Sequence, residues 1–102
     1  MRRVLVRYRV KPEEVEANEA LVRDVYEELA RTRPGGLRYM TLKLDDGVTF
    51  IHVAEHAEPN PLPAVAAFQR YVAGIGARCD APPTTVEVEQ IGADGFASED
   101  LG

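Results

Sequence analysis

The chain has 102 residues, 45% apolar and 28% charged, which suits one compact core and excludes both a disordered chain and two ordinary domains. A formal net charge of −5 repels phosphate backbones and argues against general nucleic-acid binding. With Cys79 as the single cysteine there is no intrachain disulfide, and no stretch is long and apolar enough to span a membrane.

The first segment, MRRVLVRYRV, alternates Val4, Val6, Tyr8 and Val10 with Arg3, Leu5, Arg7 and Arg9. Period two over a β-branched run predicts a strand, and the arginines break the apolar run that a signal peptide needs, so the expected location is the cytoplasm. Arg2, Arg3, Arg7, Arg9 and Lys11 form a basic cluster. Without interleaved aromatic residues it reads as a solvated strand face or a charge-blunted edge, not a nucleic-acid patch.

Pro12 suits a first helical turn, and Glu13, Glu14 and Glu16 favour a helix N-terminus. Val15, Val22, Val25 and Leu29 then recur at helical spacing, giving an amphipathic helix to about Arg31 that Pro34-Gly35-Gly36 stops. Residues 37–44 form the second predicted strand and residues 48–56 the third, joined by Asp46-Gly47, a two-residue hairpin signal. That loop sets the register: Thr41 faces His52, and Arg38 faces Glu55 with opposite charge.

Pro59-Asn60-Pro61-Leu62-Pro63 is a stiff connector in which Asn60 caps a second helix with Pro61 at its first position. Its predicted apolar stripe is Val65, Phe68, Val72 and Ile75, and Gly74 and Gly76 weaken its end. Residues 79–83 read as a loop, and residues 85–91 as the fourth strand. The order is β-α-β-β-α-β, an α+β, ferredoxin-like arrangement with two helices on one face of a four-stranded antiparallel sheet. Residues 1–92 make the domain, and residues 93–102 a flexible acidic tail. Both faces of the third strand are apolar, Phe50 and Ala54 on one and Ile51 and Val53 on the other. Two helices cover one face, so the open face predicts a homodimer packed sheet to sheet.

Glu19-Ala20-Leu21-Val22, Pro34-Gly35-Gly36-Leu37-Arg38-Tyr39 and Asp45-Asp46-Gly47-Val48-Thr49-Phe50-Ile51-His52-Val53 resemble segments of small bacterial proteins of the antibiotic biosynthesis monooxygenase-like group, within the dimeric α/β-barrel superfamily. The resemblance covers most of the chain, to about Gly92. It implies the ferredoxin-like fold, a dimer whose sheets form a barrel, and a pocket in each subunit between sheet and helices. Some members oxidise aromatic polyketides with oxygen and neither metal nor flavin; others cleave haem, isomerise lactones, or have no known activity. Quinone-forming and haem-degrading members use a pocket tryptophan, and this chain has none.

Two residues carry the candidate chemistry. Asn18 lies on the apolar stripe of the first helix, where a buried amide needs partners; it either polarises a substrate carbonyl or makes a structural hydrogen bond. His52 shares a strand face with Phe50 and Ala54 and, by register, with Tyr39 and Thr41; it is either a general base or a satisfied histidine bonded to Thr41. Tyr8, Tyr39, Phe50, Phe68 and Tyr71 supply aromatic walls for a small hydrophobic ligand, or core. No cofactor is expected. Nor is a metal: His52-Val53-Ala54-Glu55-His56 matches H-x-x-E-H, but zinc ligation by that motif needs a helix, and in a strand positions four apart lie roughly 13 Å from each other. Cys79 lies beside Arg78, which would lower its pKa slightly, and reads as incidental. The chain is thus read as a possible cofactor-independent monooxygenase-like enzyme or a non-catalytic binding or accessory protein of the same fold. An RNA-recognition domain of like topology is disfavoured by the acidic balance.

Overall fold

A computed structural model describes residues 1–96. Strand β1 spans Arg2–Val10, helix α1 Val15–Thr32, β2 Leu37–Lys43, β3 Thr49–His56, α2 Ala66–Val72, α3 Ile75–Arg78 and β4 Cys79–Glu87. The strands form one antiparallel sheet in the order β2-β3-β1-β4, the split βαβ topology that the pattern predicts. No helix among the described residues is long and apolar enough to cross a membrane.

The hairpin forms in the predicted register, with Thr41 opposite His52 and Arg38 opposite Glu55. Asp46 holds its turn: Oδ1 accepts the N–H groups of Val48 and Thr49 at 2.9 Å each, and the Thr49 hydroxyl donates to Oδ2 at 2.5 Å. Gly47 takes φ +79°, a left-handed conformation that glycine adopts at no steric cost. Helix α1 ends where expected, with Arg33 left-handed at φ 45° and its N–H bonded to Leu29.

The second helical region differs from the predicted single helix. A 3-10 turn at Leu62–Ala64 precedes it, and Asn60 caps that turn, its Oδ1 accepting the Leu62 N–H at 3.0 Å. The start of α2 is capped instead from α1: the Glu28 carboxylate accepts the N–H groups of Ala66 (3.3 Å) and Ala67 (2.9 Å). The helix breaks at Ala73-Gly74, where Gly74 has φ +79°. Its buried side carries Ala67 and Tyr71; of the predicted stripe, Val65 is buried and Phe68 and Ile75 pack against the core, while Val72 is 45% exposed.

Strand β4 starts six residues before the predicted Thr85 and ends at Glu87, not Ile91. Pro82 and Pro83 suggest a loop, but β4 lies at the sheet edge, where a residue without an N–H is tolerated. The pairing with β1 shifts register between Arg7 and Arg9 and again before Val10, which accommodates the prolines. Of the tail expected over residues 93–102, residues 93–96 have no regular structure, and the rest of that expectation lies outside the described residues.

One sheet face packs on the helices around Tyr8, Val10, Val22, Val25, Phe50, Val65, Ala67 and Tyr71. The other face is open and carries Met40, Leu42 and Val86 at 44%, 47% and 53% exposure. The basic cluster of β1 belongs to this sheet interior and not to an edge, since β1 pairs on both sides. Several of its members are ion-paired: Arg3 with Glu55, which also meets Arg38 Nη1 at 3.1 Å, and Arg2 with Glu87 at 2.5 Å. Beside them, the open face, residues 88–90 and 92–94, and Phe96 line an open depression of about 680 Å³.

Candidate functional site

The pleat decides which side chains meet. Positions 8 and 10 of β1, 50, 52 and 54 of β3, and 39 and 41 of β2 share the helix-facing side of the sheet. Tyr8 pairs with Phe50, Thr41 with His52 and Tyr39 with Ala54. Helix α1 lowers Asn18 onto this surface, α2 contributes Phe68 and Tyr71, and α3 ends with Arg78.

His52 is the centre of the cluster. Its Nε2 lies 2.8 Å from the Tyr8 hydroxyl and 3.1 Å from the Tyr71 hydroxyl. Its Nδ1 lies 2.6 Å from the Tyr39 hydroxyl and 3.0 Å from Thr41 Oγ1, which in turn meets the Tyr26 hydroxyl at 2.7 Å. Asn18 Nδ2 donates to the Tyr8 hydroxyl at 3.0 Å, as does the Tyr71 hydroxyl at 2.8 Å. Arg78 Nε donates to Asn18 Oδ1 at 3.1 Å. Eight residues thus form one hydrogen-bonded chain through the domain.

An aromatic shell surrounds it. The Tyr8 ring stacks on Phe50 with centroids 5.5 Å apart and on His52 at 5.3 Å, and His52 stacks on Tyr71 at 5.4 Å. Phe68 stands edge-on to Tyr39 at 6.5 Å and tilts against Tyr71 at 5.8 Å. Tyr8, Asn18, His52 and Tyr71 are 1%, 0%, 3% and 4% exposed, so the centre is closed; Tyr39 and Phe68 are only partly buried and form its outer wall.

Burial sets the protonation. It pulls the His52 pKa down to about 4, so the imidazole is neutral near pH 7. It raises every tyrosine of the cluster: Tyr26 to about 12, and Tyr8, Tyr39 and Tyr71 upward as well, so all four stay phenols. Hydroxyls and an imidazole without net charge can pass or hold a proton while avoiding the cost of a buried ion.

All seven candidate residues meet in this cluster: Asn18 and His52 in the hydrogen-bonded chain, Tyr8, Tyr39 and Tyr71 as hydroxyl partners, and Phe50 and Phe68 as walls. Asn18 meets a tyrosine hydroxyl and not open space. Sequence reasoning missed Arg78. An arginine in the short segment after Gly74 and Gly76 carries no periodic signal, since the break at Gly74 that turns it inward is a tertiary feature. Tyr26, four residues after Val22 on the same helix and bonded to Thr41, is a second residue that sequence reasoning did not bring to the site. Burial, named as the largest influence, raises the Cys79 pKa despite neighbouring Arg78, which corrects the expected lowering. His52 and His56 lie on one strand, as the H-x-x-E-H argument requires, and His56 Nδ1 instead meets its neighbour's carbonyl, Ala57 O, at 3.1 Å. Among the described residues no three His, Cys, Asp or Glu side chains are grouped to hold a metal ion.

The cluster approaches solvent on one side. Thr41 and Tyr26 line a groove of about 250 Å³ between α1 and β2, bordered by Glu19 and Lys43, which pair at 2.6 Å.

No family profile matches the sequence, and no curated protein matches it. Solved structures do. A crystal structure named as an antibiotic biosynthesis monooxygenase is 24% identical, with a TM-score of 0.73 over 90% of this chain and 100% of that one. A Nitrosomonas europaea protein, whose assignment to the antibiotic biosynthesis monooxygenases is provisional, is 19% identical with a TM-score of 0.71, covering 88% of this chain and 89% of its own. A Caulobacter crescentus protein with the same provisional assignment is 17% identical with a TM-score of 0.68 over 89% and 90%. The resemblance read from the sequence leads to this same group by name. At these identities the likeness establishes the fold: the chain has the ferredoxin-like α+β architecture of proteins named as antibiotic biosynthesis monooxygenases.

Proposed function

We propose that the protein is a monooxygenase-like enzyme that acts without a cofactor on a small hydrophobic or aromatic molecule bearing an acidified C–H bond. The observation that carries this reading is His52, a neutral imidazole with both ring nitrogens on hydroxyls inside an aromatic shell. A neutral imidazole has a lone pair with which to take a proton, and burial, which pulls its pKa down to about 4, keeps the ring in that neutral form near pH 7. To pack against Tyr71 and Phe50, a planar substrate would have to displace the partly buried Phe68 and Tyr39 side chains that form the outer wall.

His52 removes one proton from a CH₂ group, and the carbanion adds to dioxygen. His52 returns that proton to give a hydroperoxide. Loss of the second C–H proton with hydroxide then yields a carbonyl and water, so CH₂ + O₂ becomes C=O + H₂O. Asn18, acting through the Tyr8 hydroxyl, steadies the negative charge that builds at the peroxide.

A specific observation favours the second reading, a non-catalytic binding protein of the same fold: the cluster is closed and its polar atoms bond to one another. Oxygen uptake with a panel of anthrones and hydroquinones separates the two. Uptake above the spontaneous rate that falls in His52→Ala or Asn18→Ala supports the enzyme. No uptake, with panel members that raise the melting temperature and are recovered unchanged, supports the binder.

We also propose that the chain forms a homodimer through the open sheet face, because Met40, Leu42 and Val86 are exposed on it. A monomeric mass by sedimentation at micromolar concentration overturns this.

A further inference from the structure

Arg78 is 8% exposed, and its guanidinium is spent on neutral acceptors. Nε donates to Asn18 Oδ1 at 3.1 Å, Nη2 to the Tyr71 carbonyl at 2.6 Å and Nη1 to the Ala73 carbonyl at 3.3 Å. The group also lies over the Tyr71 ring, 5.7 Å from its centroid. A buried cation held this way has an orienting consequence, because a guanidinium only donates hydrogen bonds.

The consequence propagates by counting donors and lone pairs. Since Arg78 donates to it, the Asn18 oxygen faces Arg78, and its amide nitrogen faces Tyr8. The Tyr8 hydroxyl accepts from Asn18 Nδ2 and from the Tyr71 hydroxyl, which occupies both lone pairs. Its own proton then has one partner left, His52 Nε2 at 2.8 Å. A nitrogen that accepts carries no hydrogen, so the ring proton sits on Nδ1, directed at the Tyr39 hydroxyl at 2.6 Å and Thr41 Oγ1 at 3.0 Å.

We propose that Arg78 is a positioning residue that, through Asn18 and Tyr8, fixes His52 as its Nδ1–H tautomer and leaves Nε2 as the proton-accepting atom. The functional meaning rests on the role proposed for His52 above, while the tautomer itself is measured without any substrate.

The test is long-range ¹H–¹⁵N correlation of the histidine rings in uniformly ¹⁵N-labelled protein at pH 7, with His56→Gln to assign the only other histidine. The wild type is expected to show a protonated Nδ1 and a bare Nε2 for His52. Asn18→Asp keeps a partner for Arg78 but offers Tyr8 only acceptors, so the Tyr8 proton turns to Asp and the His52 ring switches to Nε2–H. Arg78→Met keeps the length and removes the donors, and is expected to give a mixture of both tautomers. Arg78→Lys retains one donor toward Asn18 and restores the wild-type pattern. A merely structural arginine would lower the melting temperature of Arg78→Met and leave the ring pattern unmoved, which overturns the proposal, as does a wild-type ring that reads Nε2–H. If Asn18→Asp fails to fold, the wild-type and Arg78 spectra still decide. Oxygen uptake is read separately, so a failed enzyme reading with the expected tautomers, or the reverse, is recognised as such.

Discussion

The burial of His52 makes stability depend on pH in a narrow window. The imidazole has a pKa near its ordinary 6.5 in the unfolded chain and about 4 in the folded one, because burial disfavours the charged ring. Between those values the unfolded state binds the proton and the folded state does not, so stability rises with pH. The contribution is fully present above pH 6.5, is lost as pH falls toward 4, and is flat below. Each unit is worth about 1.4 kcal/mol, so the span amounts to about 3 kcal/mol, a large share of a small domain's stability. Glu19 and Asp46 act with the same sign, since hydrogen bonds from Lys43 and Thr49 respectively hold their pKa values down, but their losses come below their ordinary values of 4.5 and 3.8. The range from pH 6.5 to 4.5 therefore isolates the histidine. Urea unfolding at fixed protein concentration, repeated each half unit, is expected to show a slope of about 1.4 kcal/mol per unit there, and His52→Gln is expected to flatten it. A wild-type curve that is flat in this window, or a slope that survives in His52→Gln, refutes the reasoning.

Other outcomes follow from individual contacts. Tyr8→Phe removes a hydroxyl that Asn18, His52 and Tyr71 all use, and is expected to cost about 1–3 kcal/mol in urea unfolding. Glu28→Ala leaves the first N–H groups of α2 without their carboxylate and is expected to cost about 1 kcal/mol, with Glu28→Gln losing less. Gly74→Ala meets no close atom, its nearest being Arg78 Nη1 at 3.8 Å, so its expected cost of about 1–2 kcal/mol is that of forcing φ +79° on a residue with a Cβ. A thermal melt that shows no change in Gly74→Ala removes the strain argument.

Local signals carried much of this molecule. Alternation found β1, the Asp46-Gly47 turn fixed the β2–β3 register to the residue, and that register placed Tyr39, Thr41 and His52 on one face. The helical period of α1 put Asn18 among buried positions. What the pattern could not reveal depends on neighbours distant in sequence. The cap that starts α2 comes from Glu28, 38 residues before Ala66, so the expected start at Pro61 was misplaced, although Val65, Phe68 and Ile75 of the expected stripe do meet the core. Pro82 and Pro83 look like breakers unless the strand is known to be at an edge, which is a property of the whole sheet. Arg78 joins the site only because Gly74 turns the chain.

Those two prolines have a consequence for how the sheet meets other strands. Its two borders are unequal. A strand arriving beside β4 encounters two consecutive residues that have no N–H to offer, on a border already bent by two register shifts. Along β2 the row from Leu37 to Lys43 contains no proline and runs without such a shift. Extension of the sheet by a foreign chain, including stray self-association during folding, is thereby directed to the β2 border, where Arg38 and Lys43 supply the only charge to discourage it.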